Sequence, residues 1–479
     1  MTKKCPQISY YIDAAGLWMI GLLCLGYVTW RSVFAESRIT IDFLDFPIFV
    51  GEIIMFFCII LYIFKIFYLK QPLNKLHAVV LSYLISVVFA ALWGYVHYGP
   101  LALRHSALFY YPVFIFFGYS FYRDDFLDEM KIWLILIGFL LFFITRYFHD
   151  HWTFSILLLS VVLISSLKDR RHQIIFCLLF LYFTPYVSIL SGSRMVLVSN
   201  ALTVFTLTLC LFFIPKWPKH RKINVSAFIV ITVIIGFFFI DRSALRSLTS
   251  FSYIIRTFRE YNQIINQKKD SFELQAQKNV TLYNPSYEEM TREITHDRES
   301  AFQKVKKQIM KPTFKPENRV YEAAVVNSLF RLFIWRDMIE EFLEAKAVFG
   351  FGFGKPLLSP SLGMLNWGES EWRRDGWIAS HNSYLNIIYR TGVLGVFLIV
   401  LIGIMLIKLI QKFMILKSVQ GLLLCGVIMI SLVSANFLDI LESPFTSIPL
   451  WFITGITLAF YKKQDARLKA ERGYKTKIF

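Results

Sequence analysis

Apolar runs of about 17–25 residues recur along the chain, each long enough to cross a bilayer as a helix. Twelve such spans fit the pattern, near 14–30, 44–64, 78–98, 107–121, 132–147, 152–167, 174–190, 195–214, 224–240, 386–407, 418–438 and 445–461. The first run follows Met1-Thr-Lys-Lys, lacks a small-residue cleavage site and is followed by another long run, so it reads as a retained helix rather than a removed signal. The predicted architecture is an all-α polytopic membrane protein. It divides into a nine-helix part (1–240), one large polar region (241–385), a three-helix part (386–461) and a basic tail (462–479).

The polar region has its own pattern. "YEEMTREITHDRESAFQKVKKQIMK" sets Tyr287, Met290, Ile294, Phe302, Val305 and Ile309 at helical spacing. "VYEAAVVNSLFRLFIWRDMIEEFLEA" predicts a stronger helix, stopped by the glycines and proline of "GFGFGKP". The segment between them reads as loop. The two-halves repeat that many transporters carry is not visible.

Composition agrees with the spans: 56% of the 479 residues are hydrophobic and 18% charged, against about 25% charged in soluble domains. The net charge of +18 raises the question of nucleic acid. Its distribution answers it. In the short connections, 24 Lys and Arg fall on the side of the termini and five on the other. Positive charge collects on the cytoplasmic face, so both termini are expected inside and region 241–385 outside, and no nucleic-acid partner is needed. The six cysteines, five in apolar runs and Cys5 near the N-terminus, offer no disulfide framework or metal pattern.

Several polar groups sit on the expected outer face. Ser380-His381-Asn382-Ser383 stands where the tenth span begins. With Ser380 as N-cap, His381 would lie in the first helical turn, where the helix dipole disfavours imidazolium and leaves a ring able to accept a proton. Taken alone, it equally fits a polar ring at a wet interface. Arg194 closes the tight "SGSR" turn after Ser193; its fork suits a phosphate, or it snorkels to lipid headgroups. Arg331 and Trp335, four apart, share a helix face and could stack. Asp439 and Glu442 in "DILESP" are the carboxylates near the outer end of the last two spans, suited to hydroxyl groups or an arginine. Three patterns carry less. "GFGFGK" fails the Walker spacing because Phe349 stands where its first glycine belongs. "HDH" at 149–151 lacks a third metal ligand nearby, and "RDDFLDE" at 123–129 reads as a solvated charge run.

Taken in order, "SGSR", Arg331-x-x-x-Trp335, "FGFGFGKP" and "HNSYLNIIYRTGVLG" resemble the O-antigen ligase/polymerase family of bacterial envelope glycosyltransferases, from about Ser188 to Gly395. The resemblance implies a C-type glycosyltransferase-like fold with a periplasmic loop in the bacterial inner membrane. It implies transfer of a glycan from undecaprenyl diphosphate to an acceptor hydroxyl, on lipid A-core for a ligase or on a second lipid-linked glycan for a polymerase. A polymerase would also imply a chain-length regulator as partner. Arg194 and Arg331 would hold the donor diphosphate and His381 would deprotonate the acceptor, with Ser193, Trp335, Asn382 and Asp439 in support. Neither metal nor cofactor is implied. The loop between Arg246 and Arg319 is long for the family's ligases. The alternative is a lipid-linked oligosaccharide flippase, against which the gathering of ionisable residues at span ends counts.

Overall fold

The computed structural model describes residues 5–35, 37–41, 46–68, 75–99, 101–123, 254–260, 262, 263, 266, 319–355, 357, 359–364 and 380–476. The expected spans at 132–147, 152–167, 174–190, 195–214 and 224–240, the amphipathic helix expected within 287–311 and "HDH" lie outside the described residues.

What is described is mostly helical. Helices α1 (Cys5–Ala35), α2 (Val50–Phe67), α3 (Lys75–Tyr98), α4 (Leu101–Tyr110) and α5 (Val113–Phe121) form the N-terminal part. Helices α6 (Arg319–Glu344), α7 (Pro360–Met364), α8 (Ser383–Thr391), α9 (Val393–Leu416), α10 (Val419–Ser434) and α11 (Pro444–Thr476) follow. Among the described residues, Val50–Phe67 and Val393–Leu416 are long and apolar enough to cross a membrane.

Two details depart from the hydrophobic pattern. Two short strands, β1 (Arg38–Ile41) and β2 (Phe46–Phe49), pair antiparallel, with Arg38 opposite Phe49 and Ile41 opposite Phe46. The helix expected from 44 therefore starts at Val50, where Glu52 reaches back to accept from Phe49 N at 3.0 Å. The runs at 107–121 and 386–407 are each broken. Tyr111-Pro112 separates α4 from α5, since proline has no N–H to continue the ladder. Gly392, at φ 58°, separates α8 from α9; a Cβ there would sit 1.9 Å from Val348 O. Hydropathy reads these as single spans because it is blind to backbone direction.

The main core joins α1, α2, α5, α9, α10 and α11 through residues such as Ile20, Phe114, Phe117, Phe413 and Ile448, all fully buried. Helix α11 packs most extensively on α5. The approach is close because Gly118 and Gly455 face it: a Cβ on either would lie 2.2 Å from Phe452 O or 2.1 Å from Ile115 O. At the end of this core that carries the N-terminus, Lys65 on α2 donates to Asp13 on α1 and to Ser120 O on α5, both at 2.5 Å, with the Lys65 and Asp13 side chains 5% and 8% exposed. Removing Lys65 leaves the Asp13 charge with only the longer contact to Arg123, at 3.9 Å. Lys65→Ala is therefore expected to destabilise the fold by about 3–5 kcal/mol, read as the denaturation midpoint of the detergent-solubilised chain. The Asp13→Asn, Lys65→Met double variant should recover most of that loss.

A second, smaller core forms beneath the site. Leu329, Phe333, Ile334 and Met338 of α6 pack with Ile254, Leu357, Leu362 and Tyr389. Asp337 closes it, accepting from Ser361 N at 2.9 Å and from the Ser359 hydroxyl. This fixes the roll of α6 about its axis and so fixes which way Arg331 and Trp335 point.

Candidate functional site

The polar quartet at 380–383 has four distinct jobs. The N-cap of α8 is Asn382, not Ser380: its side chain accepts from Leu385 N at 3.0 Å. Ser380 Oγ instead accepts from Asn382 N at 3.2 Å and shapes the turn before the helix. Ser383 is fully buried and stitches α8 to the turn after α10. Its N–H donates to Ala435 O at 2.9 Å and its hydroxyl to Leu438 O at 3.2 Å, while the same hydroxyl accepts from Leu441 N at 3.2 Å. His381 therefore stands one residue before the cap rather than in the first turn. It adopts φ 50°, a left-handed conformation uncommon for a residue with a side chain.

That backbone conformation is matched by an ion-pair contact. His381 Nδ1 lies 3.3 Å from Asp439 Oδ2, in the turn between α10 and α11. The His381 backbone N–H also serves the Asp439 carboxylate. Burial works to raise the Asp439 pKa, but the ring and backbone of His381 hold it below the ordinary carboxylate range. Asp439 is thus charged at neutral pH. His381 Nε2, the other ring nitrogen, has no hydrogen-bond partner among the described residues.

Helix α6 lies against the same two segments. Trp335 Nε1 donates to Ser380 O at 2.7 Å, one residue before His381. One turn back, Arg331 Nη1 donates to Phe437 O at 2.9 Å, two residues before Asp439. The Phe330 ring sits 6.2 Å from the His381 ring. The spacing that puts Arg331 and Trp335 on one face thus clamps the His381 strand and the Asp439 turn side by side. Arg331 Nε is buried with no partner among the described residues. Burial lowers its pKa, and the charge of Asp439 opposes that. A half-buried guanidinium with an unused donor is suited to an anion.

Arg331, Trp335, His381, Asn382 and Asp439 are brought together. Arg194 and Ser193 lie outside the described residues.

The glycine-rich turn is not a phosphate cradle. Phe351 N and Gly352 N donate to Tyr389 O and Arg390 O, both at 2.9 Å, and Gly354 N donates to His105 Nδ1 at 3.0 Å. Gly350 and Gly354 have φ of 77° and 94°, and a Cβ on Gly350 would sit 2.4 Å from Arg390 O. The turn therefore buckles α6 to the end of α8. A polar network crosses this junction. Arg390, 3% exposed, donates to Lys355 O and to Asn386 Oδ1, the latter at 3.3 Å. Asn386 donates to Glu442 Oε1 at 2.6 Å. Glu341 accepts from Tyr389 OH at 2.6 Å and from Lys355 Nζ at 2.5 Å. Sequence reasoning passed over Asn386 and Arg390, although Asn382, Asn386 and Arg390 stand four apart and share one face of α8. Among the described residues no three His, Cys, Asp or Glu form a metal-holding group.

Residues 176–400 match a family model described as O-Antigen ligase. The match takes in Arg194, Arg331, Trp335, His381 and Asn382 and stops short of Asp439 and Glu442. No curated protein and no solved structure matches the chain. The matched stretch and the helical, membrane-suited elements around it support an envelope glycosyltransferase-like ligase or polymerase role. The match covers just under half of the chain and supports an assignment to the O-antigen ligase/polymerase family.

Proposed function

We propose that this chain transfers a glycan from undecaprenyl diphosphate to an acceptor hydroxyl at the outer face of the bacterial inner membrane. The observation that carries the reading is the clamp of α6 across His381 and Asp439, which gathers a ring nitrogen, a carboxylate and a half-buried arginine at one point. Asp439, on Nδ1, selects the tautomer that leaves Nε2 free to accept a proton. The acceptor hydroxyl gives its proton to Nε2 as its oxygen bonds to the anomeric carbon. The bond from that carbon to the diphosphate breaks with inversion, and undecaprenyl diphosphate departs. The imidazolium then returns its proton to solvent or to the departing diphosphate. Arg331, joined by Arg194, neutralises the charge that grows on the diphosphate oxygen, so the chain's own residues supply the electrostatic stabilisation.

This reading includes twelve spans, both termini in the cytoplasm and region 241–385 in the periplasm. It is tested by incubating the full chain, in detergent or vesicles, with labelled undecaprenyl-diphosphate glycan and an acceptor, without nucleotide sugar. Acceptor-dependent release of undecaprenyl diphosphate is the expected result. Donor that crosses vesicle leaflets uncleaved would overturn it in favour of a flippase. Lipid A-core as the working acceptor identifies a ligase. A second lipid-linked glycan identifies a polymerase, for which a chain-length regulator is the expected partner. In cells, loss of a polymerase leaves single-repeat caps, and loss of a ligase leaves uncapped core with lipid-linked polymer retained.

A further inference from the structure

The turn between α10 and α11 carries two carboxylates three residues apart, and only Asp439 has a part in the mechanism above. Asp439 points Oδ2 at His381, while its Oδ1 is buried and has no hydrogen-bond partner among the described residues. A buried carboxylate oxygen calls for a donor. Glu442 stands three residues on in the same turn. Its carboxyl interacts side chain to side chain with Asp439, and its Oε1 is already held by Asn386 Nδ2 at 2.6 Å.

The surroundings favour a proton on Glu442. From α8 the Asn386 amide, and behind it Arg390, itself engaged by Asn386 and Lys355 O, act against that proton, but burial and Asp439 outweigh them. Arg390 also feels Tyr389, Glu341 and Tyr98. Asp439, by contrast, faces His381 and the Arg331 charge. Two neighbouring carboxyls do not readily ionise together, and the one nearer the cations keeps the charge. Burial and the Asp439 charge accordingly push the Glu442 carboxyl well above the ordinary range.

We propose that Glu442 is a positioning residue for the glycosyl transfer: it stands protonated, gives its hydrogen to Asp439 Oδ1, and leaves Asp439 as a singly charged, oriented partner of the His381 ring. The proposal rests on His381 being the base. With Glu442 neutral, the imidazolium formed during transfer meets one negative charge and can release its proton afterwards. With Glu442 ionised, the two carboxylates repel, Asp439 swings from the ring, and turnover falls on the alkaline side.

The test measures release of undecaprenyl diphosphate by the full chain across pH. Glu442→Gln keeps a neutral donor and is expected to stay within roughly threefold of wild type at neutral pH while losing the alkaline fall in kcat. Glu442→Ala is expected to lower kcat roughly 10–100-fold with little change in donor KM, because only alignment is lost. The proposal is overturned if Glu442→Gln falls as far as Glu442→Ala, if Glu442→Ala keeps wild-type kcat, or if the alkaline limb persists unchanged in Glu442→Gln. His381→Ala, run in parallel, separates the two levels. Full turnover in His381→Ala removes the base and this proposal together. An inactive His381→Ala beside a fully active Glu442→Ala removes the Glu442 role alone.

Discussion

His381→Ala is expected to lower release of undecaprenyl diphosphate by roughly 10²–10⁴-fold, the usual contribution of a positioned general base. Donor binding should change little, because the ring is assigned to the acceptor side. The variant should also remain folded. The turn around His381 is held by Asn382, Ser383 and Ser380, none of whose bonds uses the imidazole, and alanine tolerates φ 50° at a cost of about 1–2 kcal/mol. Detergent extraction and melting should match wild type to within that margin. His381→Asn is the sharper comparison, since asparagine accepts the left-handed backbone more readily but cannot take the proton. Wild-type turnover in either variant would exclude the ring from the reaction.

Arg331→Lys is expected to cost roughly 10²–10³-fold in kcat, the scale of losing one charge-stabilising donor set. The change keeps the charge, so a pure charge effect predicts near-normal activity. The geometry predicts otherwise. The guanidinium uses Nη1 on Phe437 O and still has Nε available, and an ammonium on a flexible stem cannot hold a carbonyl and grip a diphosphate in the same fixed fork. The loss should appear in kcat more than in donor KM, because the diphosphate gains charge as the bond breaks. Arg194→Lys, measured alongside, should behave the same way if the two arginines act on one diphosphate, with the double variant falling short of additivity. Activity retained in both lysine variants would reduce their role to charge alone.

The parts of this molecule that were legible in the sequence are those that depend on local pattern. The α6 helix reads from 320 to 345 in the hydrophobic periodicity and is observed as Arg319–Glu344, because its buried face repeats at helical spacing; a left-handed turn at Lys346, φ 49°, ends it ahead of the glycines. The pairing of Arg331 with Trp335 on one face follows from the same geometry. Asp439 was visible as an outer carboxylate, but its partner was not, since the contact joins residues 58 apart that no periodicity connects. Ser380 looked like a cap because serine caps well; Asn382 took the position because His381 turns left-handed between them. Arg390 escaped notice because an arginine inside an apolar run reads as an interface residue, whereas here it is engaged from two sides. The breaks at Pro112 and Gly392 were masked by continuous hydropathy.

The clamp on the site has one more property. Arg331 and Trp335 do not hold side chains; they hold the carbonyl oxygens of Phe437 and Ser380. Every residue offers a carbonyl, so these two anchor points are indifferent to which amino acids occupy 437 and 380. What they do register is the number of residues between Ser434 and Pro444 and the path that chain takes. A substitution at Phe437 leaves the anchor in place, whereas adding or deleting one residue in that turn moves Asp439 away from His381 even with every named side chain intact. The site is thus coded in chain length there, and variation in this turn can accumulate in composition far more freely than in register.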